Sequence, residues 1–482
     1  MHYFSLDSAI IYIFLIATLV LGLWVGRGIK TLREYAIADQ MYGVGVLTMT
    51  ILATYVTASK GMGYVGYVFD DGLWPLISIP LCKTIVNFLF IIRYIIPNII
   101  RFEGCLTTAE VMGRLYGSSA RMGIAVLGVV YSLGMVTSQI IWLGYISDLL
   151  NFSSELCLLV GGIFVVLYAS QGGMKSVAIT DVLQFLVMIA FVPVVVNIML
   201  QKTGGLTAML AQVPAKNLEI VHHPHAGNYL VYCLWGLFPA FPLSFPFIQR
   251  MLMAKSAKQL TQSYYVSMVF LVVFFLVLTL VAFAAIVLKA GGDPNIPEQG
   301  SRVFIHIVRN YVPTGIKGLI GAGFIAGVMS TADSFLHAAG LLVVHDIVEP
   351  LCNRWQIKID PLRWVKLATL ALGLIAVVTA FNYSVLPRIQ YGGVDLGRGI
   401  NLMTDFVALI FTIPLISGLM GLKVNGTQFF VASACTTVTF IVSKFCLTPA
   451  SLIPVNIAVS IISFFGTHFF QNNGFVTAER AE

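Results

Sequence analysis

The sequence predicts an all-α protein that crosses a lipid bilayer about thirteen times. Of its 482 residues, 58% are hydrophobic and only 10% are charged, whereas soluble domains carry roughly 25% charged residues. The mean hydropathy is +0.90. Apolar runs of roughly 20 residues, each long enough to cross a bilayer as a helix, recur along the whole chain. Breaks at Gly, Pro or charged residues delimit the predicted spans, which are 7–26, 43–68, 74–98, 120–149, 154–170, 177–200, 228–247, 264–289, 317–348, 364–383, 399–421, 427–446 and 449–470.

Charge and cysteine content argue against several other classes of protein. The formal net charge of +7 fits basic residues in cytoplasmic loops, which orient a membrane protein, better than a nucleic-acid partner. The 7 cysteines are odd in number and lack CxxC spacing, so they are predicted to be free thiols. The run HHPH at 222–225 has metal-binding side chains, but a polar loop is the favoured interpretation. The first apolar run, 9–25, has no basic leader and no small-residue cleavage site, and we expect it to be retained.

The distribution of basic residues predicts the orientation in the membrane. If the N-terminus is outside, the cytoplasmic segments hold 17 Lys and Arg residues and the outer segments hold 9. Several of those nine lie in or near the long 290–316 loop, and long loops follow the positive-inside rule less strictly. The N-terminus is therefore predicted to be outside and the C-terminus cytoplasmic.

Two of the predicted spans are interrupted. The second contains ATYVTASKGMG at 53–63, where hydroxyls, a lysine and two glycines break the apolar run. The seventh contains LFPAFPLSFP at 237–246, with three prolines. Proline removes an amide donor and breaks a helix. In lipid, the freed carbonyls are tolerated only against other protein or a cavity.

The two breaks lie five spans apart, so the second broken helix enters the membrane from the side opposite to the first. This is the pattern of an inverted repeat with discontinuous helices, which in transporters places the binding site at the breaks. Two unrelated kinks are the alternative, since Pro and Gly are common in membrane helices.

The ninth span gathers hydroxyls and an acid at 324–336, FIAGVMSTADSFL. A sodium ion is hard and prefers oxygen ligands. Ser330 and Thr331 offer hydroxyls, and the broken stretch at 53–57 offers carbonyls, so the two helices would form a five-oxygen cage. Hydrogen bonding within or between helices is the alternative role of such hydroxyls. An acid at this depth needs a partner, and His337 is the predicted partner of Asp333.

Four stretches, in the same order along the chain, resemble one known family. GFIAGVMSTADSFLHAAGLLVVHDI looks like the eighth core helix of the sodium:solute symporters, a family of glucose, proline, pantothenate and sialic acid transporters. LTTAEVMGRLYG (106–117) is similar to the loop before the third core helix, and QGGMKSVAITDVLQ (171–184) to the turn into the fifth. FIQRMLMAKS (247–256) resembles the end of the sixth, which puts Arg250 at the cytoplasmic surface.

The resemblance implies a LeuT-like five-plus-five inverted repeat with discontinuous first and sixth core helices. Residues 1–482 would form a single transmembrane domain. It would consist of a leading helix at 7–26, a first repeat at 43–200, a second repeat at 228–421 and two peripheral helices at 427–470.

The resemblance also implies where ions bind. The family's principal sodium site carries over to the carbonyls of Ala53, Val56 and Gly327 and to the hydroxyls of Ser330 and Thr331. A second sodium site in some members matches Asp181, Ser330 and Ser334. Asp333 stands where relatives often have a small residue, and Asp181 or Asp333 could instead carry a proton.

Candidate solute-binding residues lie near the two breaks. Proline-type members have an acid where this chain has Tyr55. Lys60 and Lys83 are basic groups near or inside spans; they would meet an anionic solute, or else reach the surface or pair with acids. The remaining candidates are Thr57, Gln139, Trp142, Phe238 and Phe241.

These observations together predict a secondary active transporter that couples inward sodium flow to uptake of a small polar organic solute. A solute sensor that does not transport, a passive channel and a proton-coupled carrier are the alternatives. Sodium is the predicted coupling ion, and the predicted partners are the solute and the lipid bilayer, with no nucleic acid or obligatory protein partner. An enzyme is not expected, because no nucleophile–base pair or cofactor motif stands out. The predicted location is a cell membrane of the bacterial inner membrane type.

Overall fold

The computed structural model describes residues 5–150, 153–220, 229–230, 233–234, 236–239, 241–385, 396–446 and 449–478, and all regular structure among them is helical. The HHPH run lies outside these residues. The first nine helices are α1 Leu6–Val25, α2 Leu32–Ile37, α3 Val44–Tyr55, α4 Ala58–Asp71, α5 Trp74–Phe102, α6 Thr108–Tyr116, α7 Ser118–Leu150, α8 Ser154–Lys202 and α9 Leu206–Gln212. The remaining eight are α10 Phe245–Leu252, α11 Ala257–Ala290, α12 Gly300–Tyr311, α13 Ile316–Arg354, α14 Pro361–Val385, α15 Leu396–Leu419, α16 Gly426–Cys446 and α17 Pro449–Ala478.

The helices confirm a polytopic membrane architecture. Within the described residues, eight helices are long and apolar enough to cross a bilayer, or nine if α2 and α3, which meet at 111°, are counted as one span. Helix α8 covers two predicted spans, 154–170 and 177–200, and the predicted span 228–247 lies partly outside the described residues. The total of thirteen spans stays a prediction.

Helix α13 lies at the centre of the protein. Its apolar window is 94% buried, against 33% for α1, and it packs against α1, α3, α7, α8 and α14. Small residues along α13 allow this close packing. A Cβ atom added to Gly323, for example, would lie 2.4 Å from the ring of Phe191. Polar side chains on α13 therefore face other helices and not lipid.

A single glycine bends α8. Gly173 has φ +51° and ψ −162°, a combination that is essentially restricted to glycine. A Cβ atom at this position would lie 2.6 Å from the ring of Tyr35. The glycine thus produces the boundary that the sequence predicts between the fifth and sixth spans, although the intervening residues stay helical.

Replacing Gly173 with alanine is expected to destabilise the protein. The backbone conformation alone costs roughly 1–3 kcal/mol for a residue with a side chain, and the contact with Tyr35 adds to this. The check is the thermal unfolding temperature of the purified protein in detergent. Gly123→Ala is the matched control, because a Cβ atom there meets nothing within 4 Å. Equal unfolding temperatures for the two variants would contradict the prediction.

Candidate ion and solute sites

The first predicted break interrupts the hydrogen bonding between α3 and α4. Helix α3 ends at Tyr55, Val56 has non-helical angles of φ −84° and ψ 79°, and Thr57 caps α4 by accepting a hydrogen bond from the Lys60 N–H at 3.1 Å. The Thr57 N–H donates to the Tyr55 carbonyl and not to that of Ala53. The carbonyls of Ala53 and Val56 are thus released from the regular helical pattern.

The second predicted break is also present. Residues Phe241–Leu243 form one 3₁₀ turn, Ser244 is extended with φ −66° and ψ 167°, and helix α10 then begins with Pro246 in its first turn. Proline is well tolerated in the first turn of a helix because its missing N–H would be unpaired there in any case. Both discontinuities predicted from sequence therefore exist.

Four of the five predicted sodium ligands meet where α13 crosses the first break. The Ser330 hydroxyl donates to the Ala53 carbonyl at 2.9 Å and lies 3.3 Å from the Gly327 carbonyl. The Thr331 hydroxyl donates to the same Gly327 carbonyl at 3.1 Å. Both hydroxyls are fully buried. Val56, the fifth, is three residues beyond Ala53 in the same break.

The acid on α13 has a different partner from the predicted one. The Tyr168 hydroxyl donates to Asp333 Oδ2 at 2.7 Å, and the Ser334 hydroxyl lies 3.2 Å from Asp333 Oδ1. His337 Nε2 instead lies 2.8 Å from the Tyr35 carbonyl. The predicted Asp333–His337 pair is wrong because the two side chains reach different neighbouring helices.

Arg250 is a buried element of the site that the sequence analysis misplaced at the cytoplasmic surface. Its side chain has 0% exposure and forms an ion pair with Asp181, also 0% exposed, at 2.9 Å. The guanidinium also donates to the hydroxyls of Ser334 at 2.6 Å and Thr50 at 3.0 Å. Thr50 in turn donates to Asp181. Helices α3, α8, α10 and α13 are thereby joined by one arginine.

Arg250 contacts two residues of the predicted second ion site. Of the three residues that the resemblance assigns to it, Asp181 and Ser334 both bind Arg250, and Ser330 donates to the Ala53 carbonyl. Asp333, the alternative proton carrier, binds Tyr168. The guanidinium thus supplies a permanent positive charge beside Asp181. The signal that could have identified this contact is the position of Arg250 in the sixth core helix. A charged side chain at that depth in a membrane protein usually pairs with an opposite charge.

A cavity of about 360 Å³ lies between the two breaks, within the range of small-molecule sites. Four predicted solute residues line it: Tyr55, Lys60, Phe238 and Phe241. Thr57 caps α4, and Gln139 and Trp142 lie on α7, outside the lining. The lining residues that the sequence analysis did not select are Tyr64, Tyr67, Ile79, Asn87, Tyr131, Met135, Pro242, Thr404, Asp405 and Ala408, and Lys83 also faces the cavity.

Lys60 is held by aromatic rings. Its Nζ lies 3.9 Å from the ring centroid of Tyr55 and 3.3 Å from that of Phe241. The Tyr55 hydroxyl is engaged elsewhere, because it donates to the Lys83 carbonyl at 3.1 Å. Tyr55 therefore contacts Lys60 through the face of its ring, while the Tyr55 hydroxyl holds α5 against the end of α3.

Comparison with known proteins identifies relatives over most of the chain. A model of the Sodium:solute symporter family matches residues 35–393. The chain is 26% identical over 217 residues to the sodium/pantothenate symporter of Escherichia coli (strain K12), a match that covers 44% of each chain. It is 21% identical over 401 residues to the high-affinity proline transporter PutP of Bacillus subtilis (strain 168), covering 79% of this chain and 82% of the relative.

A solved structure shares the fold. The substrate-bound, outward-open state of a Na⁺-coupled sialic acid symporter superposes with a TM-score of 0.82 over 96% of both chains, at 15% sequence identity. The likeness extends over nearly the whole chain. The LeuT-like architecture predicted from sequence is confirmed.

Proposed function

The chain belongs to the sodium:solute symporter family, and we propose that it couples inward sodium flow to uptake of a small polar organic solute by alternating access. The chain is a multi-pass membrane transporter and not an enzyme. In the proposed cycle, the halves 43–200 and 228–421 move against each other around a site at the two broken helices.

The assignment of the ion site rests on one observation. The Ser330 hydroxyl reaches across from α13 to the released Ala53 carbonyl at 2.9 Å. A hydroxyl can rotate its proton away and present a lone pair, so a sodium ion can replace this hydrogen bond with two ion–oxygen contacts. The proposed ligands are the carbonyls of Ala53, Val56 and Gly327 and the hydroxyls of Ser330 and Thr331.

The position of the ion explains how coupling would work. An ion between α13 and the end of α3 favours the conformation in which these helices are close. Residue Tyr55, which lines the cavity, follows Ala53 by two positions, so an ordered break also orders the solute site. A ligand shifts a conformational equilibrium only by its difference in affinity for the two states. Release of sodium into the cytoplasm, where it is scarce, would loosen the solute.

Transport in proteoliposomes separates this function from its alternatives. Purified protein is reconstituted, and uptake of labelled pantothenate, proline, sialic acid and lactate is measured under an inward sodium gradient, an inward potassium gradient and an inward proton gradient. We expect accumulation of at least one solute under the sodium gradient alone. Accumulation driven by protons without sodium, or solute binding without any accumulation, would contradict sodium symport and support a proton-coupled carrier or a sensor, respectively.

The orientation is part of the proposal. The excess of basic residues on one side, 16 against 9 once the buried Arg250 is left out, supports an external N-terminus and a cytoplasmic C-terminus, and we propose a bacterial inner membrane as the location. Cysteines introduced singly at the exposed lysines Lys216 and Lys423 provide the test. We expect an impermeant thiol reagent applied to intact cells to label the first cysteine and not the second. Labelling of the second cysteine would reverse the assigned orientation.

A further inference from the structure

The cavity carries a surplus positive charge. Among the described residues that line it, Lys60 and Lys83 are basic and Asp405 is acidic. Within the described part of the chain, neither lysine forms an ion pair within 4.0 Å, so the lining holds two basic side chains against one acidic side chain. An uncompensated cation inside a membrane protein is costly, and a bound anion would offset that cost.

The surroundings of Lys60 orient its ammonium group without neutralising it. The rings of Tyr55 and Phe241 lie 3.9 Å and 3.3 Å from Nζ, and such contacts attract a cation while leaving its charge in place. An ammonium group has three N–H donors. Two ring faces engage at most two of them, so one donor is left for a solute oxygen. Lys60 is itself partly exposed and lines the cavity.

We propose that the solute is an organic monocarboxylate whose carboxylate binds the Lys60 ammonium and whose apolar part packs against Tyr55 and Phe241. This inference rests on the proposed function, because it takes the cavity to be the solute site. One negative charge matches the one surplus positive charge of the lining. Asp405 is the one acid against two lysines among the described residues of the lining, so a further cation, such as the ammonium group of an amino acid, would add to the surplus of positive charge.

Matched ligands test the charge rule on the unmodified protein. The thermal unfolding temperature is measured in sodium buffer with carboxylates from acetate to phenylacetate. It is also measured with two series that each contain a carboxylate, its neutral amide and the corresponding amino acid. The first series is lactate, lactamide and alanine, and the second is phenyllactate, phenyllactamide and phenylalanine. We expect stabilisation by one or more carboxylates, with the neutral amide and the zwitterionic amino acid of the same shape weaker by about tenfold or more in affinity. Equal binding of the amide or the amino acid, or no stabilisation by any carboxylate, would overturn the proposal.

Lys60→Gln tests the residue. Loss of a hydrogen bond to a charged group lowers affinity on the order of 10- to 100-fold, and we expect this loss for the carboxylate that the unmodified protein binds best. Lys60→Arg, which keeps the charge, should retain part of the affinity, and Lys423→Gln, at an exposed lysine, should retain all of it. Carboxylate affinity unchanged in Lys60→Gln would overturn the assignment.

Sodium binding separates failure of this inference from failure of the proposed function. The stabilisation produced by sodium relative to potassium is recorded for each protein. If sodium stabilises both the unmodified protein and Lys60→Gln while no carboxylate acts through Lys60, the solute inference fails and the symporter assignment stands. If sodium has no effect on the unmodified protein, the proposed ion site fails independently of Lys60. A Lys60→Gln protein that does not fold leaves the matched-ligand comparison as the deciding measurement.

Discussion

Removing the hydroxyls of Ser330 and Thr331 together is expected to lower sodium affinity on the order of 100-fold or more. Each contact with a charged group contributes about 1.5–3 kcal/mol, so loss of two costs at least about 3 kcal/mol, or roughly two factors of ten. The hydroxyls are fully buried beside the Ala53 and Gly327 carbonyls. Water therefore cannot easily take the place of the missing ligands. The measurement is equilibrium binding of radiolabelled sodium to the purified Ser330→Ala/Thr331→Ala protein, which requires no knowledge of the solute.

Two controls separate a lost ligand from a general loss of structure. Thr331→Ser keeps the hydroxyl and should bind sodium nearly as well as the unmodified protein. Ser433→Ala/Thr437→Ala removes two hydroxyls from α16 that make the same kind of bond to a carbonyl of their own helix, at 2.7 Å each. That pair lies on a different helix from the proposed ligands, so it should leave sodium binding unchanged. Unaltered sodium affinity in Ser330→Ala/Thr331→Ala would refute the site.

The sequence predicts the scaffold of this site well because the determining features are local. Apolar runs, proline positions and clustered hydroxyls each act over a few residues, and they locate the spans and both breaks. The pairing of Ser330 with Ala53 is implied by the family resemblance and not by local features, because the two residues are 277 positions apart. Gly173 shows the limit even of local inference. The sequence indicates a boundary there, but one glycine with positive φ replaces the expected connecting segment.

Contacts between distant helices are not predictable in the same way. Asp333 and Tyr168 are far apart in sequence, and nothing local indicates that they share a hydrogen bond. His337 is one turn from Asp333 and is the nearer candidate by spacing, yet its ring reaches the Tyr35 carbonyl. The cavity lining has the same character, because Tyr131 and Asp405 reach it from α7 and α15. Such contacts depend on how helices cross.

Arg250 illustrates a conflict between a statistical rule and a specific partner. Basic residues near the end of a span are usually cytoplasmic, and this rule places Arg250 at the surface. The side chain instead turns inward, where Asp181, Ser334 and Thr50 accept from Nε and Nη2, and the Pro246 carbonyl accepts from Nη1. A planar guanidinium with five donors suits such a buried position better than an ammonium group.

Replacing Arg250 with methionine is therefore expected to destabilise the protein by about 3–5 kcal/mol, the cost of leaving one member of a buried ion pair without its partner. Asp181 would be left without its cationic partner in a site with 0% exposure, where it must either stay charged at a desolvation cost or take up a proton, and the Ser334 hydroxyl would lose a donor at 2.6 Å. The second substitution in Arg250→Met/Asp181→Asn removes the orphaned charge and should recover part of the loss. The measurement is the thermal unfolding temperature of the two single variants and the double variant in detergent.

An exposed ion pair of almost the same length provides the control for this cycle. Arg33 and Asp39 are 3.0 Å apart with side chains 40% and 62% exposed, and exposed pairs contribute about 0–1 kcal/mol. Arg33→Met should consequently shift the unfolding temperature little. The difference in stability loss between the two arginine variants would then come from the burial of the ion pair and not from the distance between its charged atoms. Two results would show that the buried pair does not hold α3, α8, α10 and α13 together. One is a double variant, Arg250→Met/Asp181→Asn, that is less stable than Arg250→Met alone. The other is an equal shift of the unfolding temperature for Arg250→Met and Arg33→Met.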